Sequence, residues 1–222
     1  MSVDYSFFEE DDLGNEDYLI PLFSVPLFHF KVENWDEKKK ELLKLYDERK
    51  KSKHFRRGDN AHSLDVETDY HSNYDNDFDY SDKITDIFED ELISFANSTG
   101  LEVSICSTWF ERASKNKNHT CHNHGPIGYS AVCFIQFDPK HHTPTVFMNP
   151  ITASTQSCSL MPPGIREGSL IMFPSYLLHY TNSNESDMDR IILSFNMETP
   201  EHEHHKFSEE KEEDGEYYTT TA

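Results

Sequence analysis

The sequence predicts a mainly β protein, a double-sheet β-barrel of the jelly-roll kind with two N-terminal helices packed on one sheet. Three observations predict it. Two segments before residue 100 carry apolar residues at helical spacing, and from Leu101 onward the pattern changes to short β-rich runs. Turn residues such as Asp138-Pro139 and Pro162-Pro163-Gly164 separate those runs. Helices followed by a string of strands bury their apolar stripes by lying on one sheet of a two-sheet barrel.

Residues 1–18 carry Asp4, Glu9, Glu10, Asp11, Asp12, Glu16 and Asp17 beside few apolar side chains, and are expected to form a disordered lead. The folded domain is expected over 19–198. Leu19–Val32, rich in Leu, Phe and Val around Pro21 and Pro26, reads as a short edge strand. Asn34 then starts a helix, with Glu37 placed for a capping box and Trp35, Leu42, Leu43 and Tyr46 as its apolar stripe. The basic run Lys50–Arg57 suits the negative end of that helix's dipole.

Residues 58–80, polar and containing His62 and His71, read as a long loop placed to fold over a site. Ser81 begins a second helix with Ile84, Ile87, Phe88, Leu92 and Phe95 on one face and Gly100 as its stop. Strands are expected at Val103–Arg112, Tyr129–Asp138, Val146–Asn149, Ser169–Phe173 and Arg190–Met197. Residues 199–222 are expected to be a disordered acidic tail; its His202, His204 and His205 would bind metal weakly, without a fixed shell.

Composition narrows the function classes. The net charge is −21, from 20 basic and 41 acidic residues, and such an excess repels phosphate backbones and anionic bilayers. Direct nucleic-acid or membrane binding is therefore not expected. No apolar run approaches the ~20 residues a membrane span needs, and no charged-then-apolar leader opens the chain. Cys106, Cys121, Cys133 and Cys158 lack close paired spacing, so reduced thiols in a cytoplasmic setting are expected.

The chemistry-bearing stretch is His119-Thr120-Cys121-His122-Asn123-His124-Gly125, read with Gly168–Asn196. His122 and His124 are alternate residues, which on an extended segment point to one side. His179 would add a third nitrogen from a distant strand, leaving several positions open on a metal, as in the facial sites of non-haem iron oxygenases. His119 competes with His124 for the third place, although a spacing of three suits a helix better than a strand. Arg190, buried in an apolar strand, requires an anion, either an internal carboxylate or the far carboxylate of a dicarboxylic cosubstrate.

Trp109, His122-Asn-His124-Gly-Pro, Ser130-Ala-Val-Cys-Phe-Ile, Asn149-Pro150, Gly168–Pro174, His179 and Arg190-Ile-Ile-Leu-Ser-Phe-Asn196 together resemble the 2-oxoglutarate/Fe(II) oxygenases. They are most similar to the prolyl-hydroxylase-like branch common in marine bacteria and phages. The resemblance covers roughly residues 20 to 198, and its specific part is the Phe-Pro…His…Arg…Ser-Phe-Asn segment.

The resemblance implies a double-stranded β-helix and a dioxygenase using Fe(II), 2-oxoglutarate and O2 to hydroxylate a prolyl residue, another peptide side chain or a small metabolite. It implies His122, His124 and His179 as iron ligands, with His124 where most relatives carry Asp or Glu; Asp138 or a water would then complete the shell. It implies Arg190 as the anchor of the far carboxylate, with Ser194 adding a hydroxyl. Relatives often carry two tyrosines where Cys133-Phe134 stand, and Tyr129 or Tyr180 would replace the missing hydroxyl. Trp109 and Phe110 are expected to be core aromatics. The alternative is a catalytically silent metal-binding barrel that serves as an interaction module.

Overall fold

The computed structural model describes residues 25–57, 66–70, 80–150 and 159–200. The expected lead, the tail from residue 201 on with its three histidines, and His62, His71 and Cys158 lie outside them. In chain order the elements are β1 (Phe28–Lys31), α1 (Trp35–Arg49), β2 (Arg56–Arg57), β3 (Glu67–Thr68), α2 (Ser81–Ile87), α3 (Glu89–Thr99), β4 (Ser104–Ala113), β5 (His119–His122), β6 (Tyr129–Gln136), β7 (Val146–Met148), β8 (Ser159–Leu160), β9 (Ser169–Pro174), β10 (His179–Thr181) and β11 (Arg190–Glu198). A large sheet runs β1-β9-β6-β11-β4-β3-β2 and a small one β5-β10-β7-β8, with antiparallel pairing throughout.

Strict alternation divides the apolar residues between two cores. On β6, Ala131, Cys133 and Ile135 face the helices, while Val132 and Phe134 face the small sheet. Strand β11 matches it, with Leu193 and Phe195 on the helix side and Ile192 on the inner side. The helices cover the large sheet with Leu42, Leu45, Tyr46, Ile84, Ile87, Phe88 and Phe95. Phe195 is fully buried with its ring stacked 5.9 Å from Phe88, and truncating such a side chain to Ala costs about 3–5 kcal/mol.

The helix starts and stops differ in instructive ways from the sequence reading. Asn34 makes no side-chain cap: it adopts φ 50°, ψ 37°, and its carbonyl accepts from the N–H of Glu37 and Lys38 at 3.1 and 3.2 Å. Asn tolerates the left-handed region, so here the backbone replaces the expected capping box. The expected second helix is two helices that meet at Phe88 (φ −109°, ψ 22°). Gly100 stops α3 as expected, at φ 68° with its N–H donating to Ala96 O at 2.8 Å. Gly168 (φ 80°) lies against the Trp35 indole so closely that a Cβ would come within 3.0 Å of it.

Asp69 fastens the 66–70 segment to the barrel. Its fully buried carboxylate accepts from Arg49 Nε (2.7 Å), the Tyr80 hydroxyl (3.2 Å) and the Phe110 N–H (2.8 Å). That anchorage sets the Tyr70 ring 5.0 Å from Trp109, edge on. Cys106, Cys121 and Cys133 are in no disulfide. No described helix is long and apolar enough to cross a membrane.

Candidate metal centre and its anionic neighbour

Three imidazoles converge between the sheets. Strand β5 pairs with β10 so that His122 faces His179 directly, the two rings 4.3 Å apart. His124 lies just beyond the end of β5, held by its N–H donating to Ser175 O at 2.9 Å. Its ring is 5.0 Å from His179 and 5.1 Å from His122. The ligand atoms of His122, His124 and His179 all lie within 4.8 Å of one another.

The hydrogen bonds of the rings decide which nitrogen faces a metal. His122 Nδ1 donates to Thr120 O at 2.8 Å, and His179 Nδ1 to Leu177 O at 2.8 Å. His124 Nδ1 donates to Asn196 Oδ1 at 2.7 Å, an oxygen that also accepts from Ser130 Oγ at 2.9 Å. With Nδ1–H committed to an oxygen in each ring, each Nε2 keeps its lone pair. Burial pushes the imidazoles down, His122 to about 3 with the neighbouring His119 and His124 adding to it, and His124 to about 4. Burial likewise holds His179 well below the usual range. Three neutral imidazoles form a donor set that suits iron, zinc, copper or nickel, so the residues fit a first-row divalent ion.

His119 stands outside this group. Its ring stacks on His122 at 4.0 Å, while its Nδ1 bonds Glu111 Oε2 at 2.7 Å. Of the two residues weighed for third ligand, His124 is therefore the one the geometry groups with His122 and His179. Asp138 is directed elsewhere, to His141 Nδ1 at 2.6 Å and the N–H of Lys140 at 3.0 Å.

A half-open pocket of about 310 Å³, counting its mouth, lies over the three rings. Trp109, Glu111, Val132, Ile192 and Ser194 line it from the large sheet, and His119, His122, His124, Thr145, His179 and Thr181 from the opposite side. Ser194, expected to face a cosubstrate, is among the lining residues. Trp109 lines the pocket, whereas Phe110 is a core aromatic as expected. Tyr129 is a correction: it lies on the helix-facing side of β6, with its ring 4.9 Å from Phe95, because Ser130 takes the inward position. Tyr180 does not line the pocket either.

Arg190 does not line the pocket; Glu111 does. The two side chains, each 3% exposed, are paired Oε1 to Nη2 at 3.1 Å, and Arg190 Nη1 donates to Thr143 O at 3.3 Å. Burial alone would raise the Glu111 carboxyl, but His119, Arg190 and His122 outweigh it and hold it down to about 2. The sequence reading missed Glu111. Its signal was a carboxylate on the inner face of a strand, two residues from Trp109, which demands a cation as Arg190 demands an anion.

Residues 107–196 match the family model described as "Putative 2OG-Fe(II) oxygenase". The resemblance read from the sequence is supported over that segment, which is similar to the 2OG-Fe(II) oxygenases. The matched segment contains the three imidazoles, Glu111, Arg190, Ser194 and Asn196. Solved structures of the same fold include a prolyl-4-hydroxylase of Pseudomonas putida, 12% identical, covering 79% of this chain and 93% of its own, with TM-score 0.55. A Trichoplax adhaerens prolyl hydroxylase, in complex with a hypoxia inducible factor peptide fragment, is 11% identical (79% and 84% covered, TM-score 0.57). A non-heme alpha ketoglutarate dependent carbocyclase from nogalamycin biosynthesis is 10% identical (78% and 79% covered, TM-score 0.58). At these identities the likeness is one of fold, the double-stranded β-helix. No curated protein matches the chain.

Proposed function

We propose that the protein is an Fe(II)- and 2-oxoglutarate-dependent dioxygenase that hydroxylates a C–H bond of a peptide side chain, such as proline, or of a small metabolite. The observation that carries this reading is the convergence of three imidazoles whose Nδ1 atoms are all committed to oxygens, within a segment that matches the oxygenase family. When bound, Fe(II) with 2-oxoglutarate and O2 supplies the oxidising chemistry, and 2-oxoglutarate leaves as succinate and CO2.

The chain's own residues hold and orient. His122, His124 and His179 present neutral nitrogens from one side, leaving the pocket side to reactants. Ser194 offers a hydroxyl, and Arg190 behind Glu111 offers positive charge to the far carboxylate. Trp109, Val132 and Ile192 wall the pocket with apolar surface, which thins water around those charges and strengthens their interactions. The oxygenase domain is proposed to span 19–198, in a cytoplasmic setting.

One observation favours a second reading, a silent metal-binding barrel: Arg190 already has an internal counter-charge. The two readings separate by titrating 2-oxoglutarate into the anaerobic Fe(II) protein, then admitting O2 with candidate peptides and metabolites. The oxygenase reading expects metal-to-ligand absorption followed by succinate release. Tight Fe(II) binding with neither signal overturns it in favour of the silent barrel.

A further inference from the structure

Glu111 is the one carboxylate among the described residues that line the pocket, and it occupies the place where the far end of a dicarboxylic cosubstrate would meet Arg190. Its two oxygens are divided. Oε1 takes Arg190 Nη2 at 3.1 Å, and Oε2 takes His119 Nδ1 at 2.7 Å. The register explains why it stands there: Glu111 is the cross-strand partner of Ile192, with Trp109 opposite Ser194 on the same inner face. A ligand coming from the pocket therefore meets the Glu111 carboxylate before it meets the guanidinium.

The guanidinium is only partly used. Arg190 Nη1 donates to Thr143 O, and its buried Nε has no partner among the described residues. Displacing Glu111 would free Arg190 Nη2 for an incoming acceptor, but one that carries full negative charge would lie beside an existing carboxylate in a buried site. Like charges a few ångströms apart there repel strongly. A carboxamide meets no such penalty. Its oxygen can accept from Arg190 while its NH2 donates to Glu111, so both partners of the pair stay satisfied.

Resting on the oxygenase reading above, we propose that Glu111 is a specificity-determining residue that competes with the far carboxylate of 2-oxoglutarate for Arg190, so that the site loses the usual advantage of a dianionic cosubstrate over a 2-oxo acid with a neutral, amide-ended tail. 2-Oxoglutarate then binds by displacing Glu111 from Arg190, and the remaining bond to His119 gives the displaced carboxylate a place to stay.

The test compares three 2-oxo acids by anaerobic titration into the Fe(II)-loaded full chain, read by metal-to-ligand absorption and by calorimetry. They are 2-oxoglutarate, its 5-amide, and 2-oxobutyrate, which chelates but has no far polar group. In the wild type the 5-amide should bind within about threefold of 2-oxoglutarate, or more tightly. In Glu111→Gln, 2-oxoglutarate should gain about tenfold or more while 2-oxobutyrate stays within about twofold. A wild type that prefers 2-oxoglutarate over the amide by more than about tenfold overturns the proposal, and this comparison does not depend on a variant folding. An equal gain for 2-oxobutyrate in Glu111→Gln also overturns it, because the effect would then be general electrostatics at the metal. Absence of absorption with all three acids in both proteins defeats the oxygenase reading itself. Absorption with 2-oxoglutarate in the variant alone, with the 5-amide seen in both proteins, supports both, whereas a wild type blind to the amide overturns the proposal.

Discussion

Glu111 and Arg190 lie 79 residues apart in sequence and meet at 3.1 Å in the barrel interior, each side chain 3% exposed. A buried pair of this kind contributes little net stability compared with an apolar replacement, but removing one partner strands the other. Arg190→Met should therefore cost about 3–5 kcal/mol in urea unfolding, more than the loss of an arginine that only awaits a ligand. The double variant Arg190→Met/Glu111→Gln should recover most of that loss. Arg190→Met within about 1 kcal/mol of wild type, or a double variant as unstable as the single, would show the pair is not formed.

The metal assignment predicts unequal effects at two neighbouring histidines. His124→Ala should weaken Fe(II) binding by about tenfold or more, as should His122→Ala and His179→Ala, whereas His124→Asp should retain or strengthen it. His119→Ala should leave Fe(II) affinity within a few-fold, since its Nδ1 faces Glu111. Calorimetry with the order of His119 and His124 reversed would mean the wrong register for the third ligand. Replacing His202, His204 and His205 together should leave the tight site intact.

Proton competition gives a third expectation. The folded imidazoles of His122 and His124 sit at about 3 and about 4, below the ordinary 6.5, so they stay neutral well into mild acid. Fe(II) affinity should then be nearly flat from pH 7.5 to 5.5, where three ordinary histidines would already lose most of theirs. Stability runs the other way. These depressed groups contribute stability that is complete above 6.5 and lost as pH falls, because the unfolded chain takes up protons first. The slope is about 1 kcal/mol per pH unit for each imidazole. Glu111, held down to about 2, adds a further loss below 4.5. Urea midpoints of the metal-stripped protein that do not fall between pH 7 and 5 would contradict this.

Much of the architecture was readable because the large sheet is built from long alternating or continuous apolar runs. The expected strands around Tyr129, Ser169 and Arg190 match β6, β9 and β11 to within two residues. Strands β8 and β10 show no period of their own in two or three residues, and β10 is polar at Thr181, whereas the equally short β7 is legible because Val146-Phe147-Met148 is continuously apolar. Alternation also decided where the sequence reading failed. The sequence suggests Tyr129 for the cosubstrate, but its neighbour Ser130 holds the inward position two residues before Val132. Glu111 went unnoticed because its meaning depends on a partner strand at the other end of the domain.

His124 differs from the other two imidazoles in what orients it, which sets up a last test. Asn196→Ala should lower Fe(II) affinity by about 10- to 100-fold by releasing His124 Nδ1, with little change in the fold. Asn196→Asp, which keeps the acceptor, should rescue affinity. An affinity unchanged in Asn196→Ala would remove the oxygen from the account.

The orienting oxygens of His122 and His179 belong to the main chain, at Thr120 and Leu177, and are present whatever side chain those positions carry. Only the third depends on a side chain. Sequence drift can therefore erase the alignment of His124 in a single codon while the other two imidazoles persist as long as the strands keep their path. A copy of this barrel that had drifted at Asn196 would keep two imidazoles in line and a third set loose beside them.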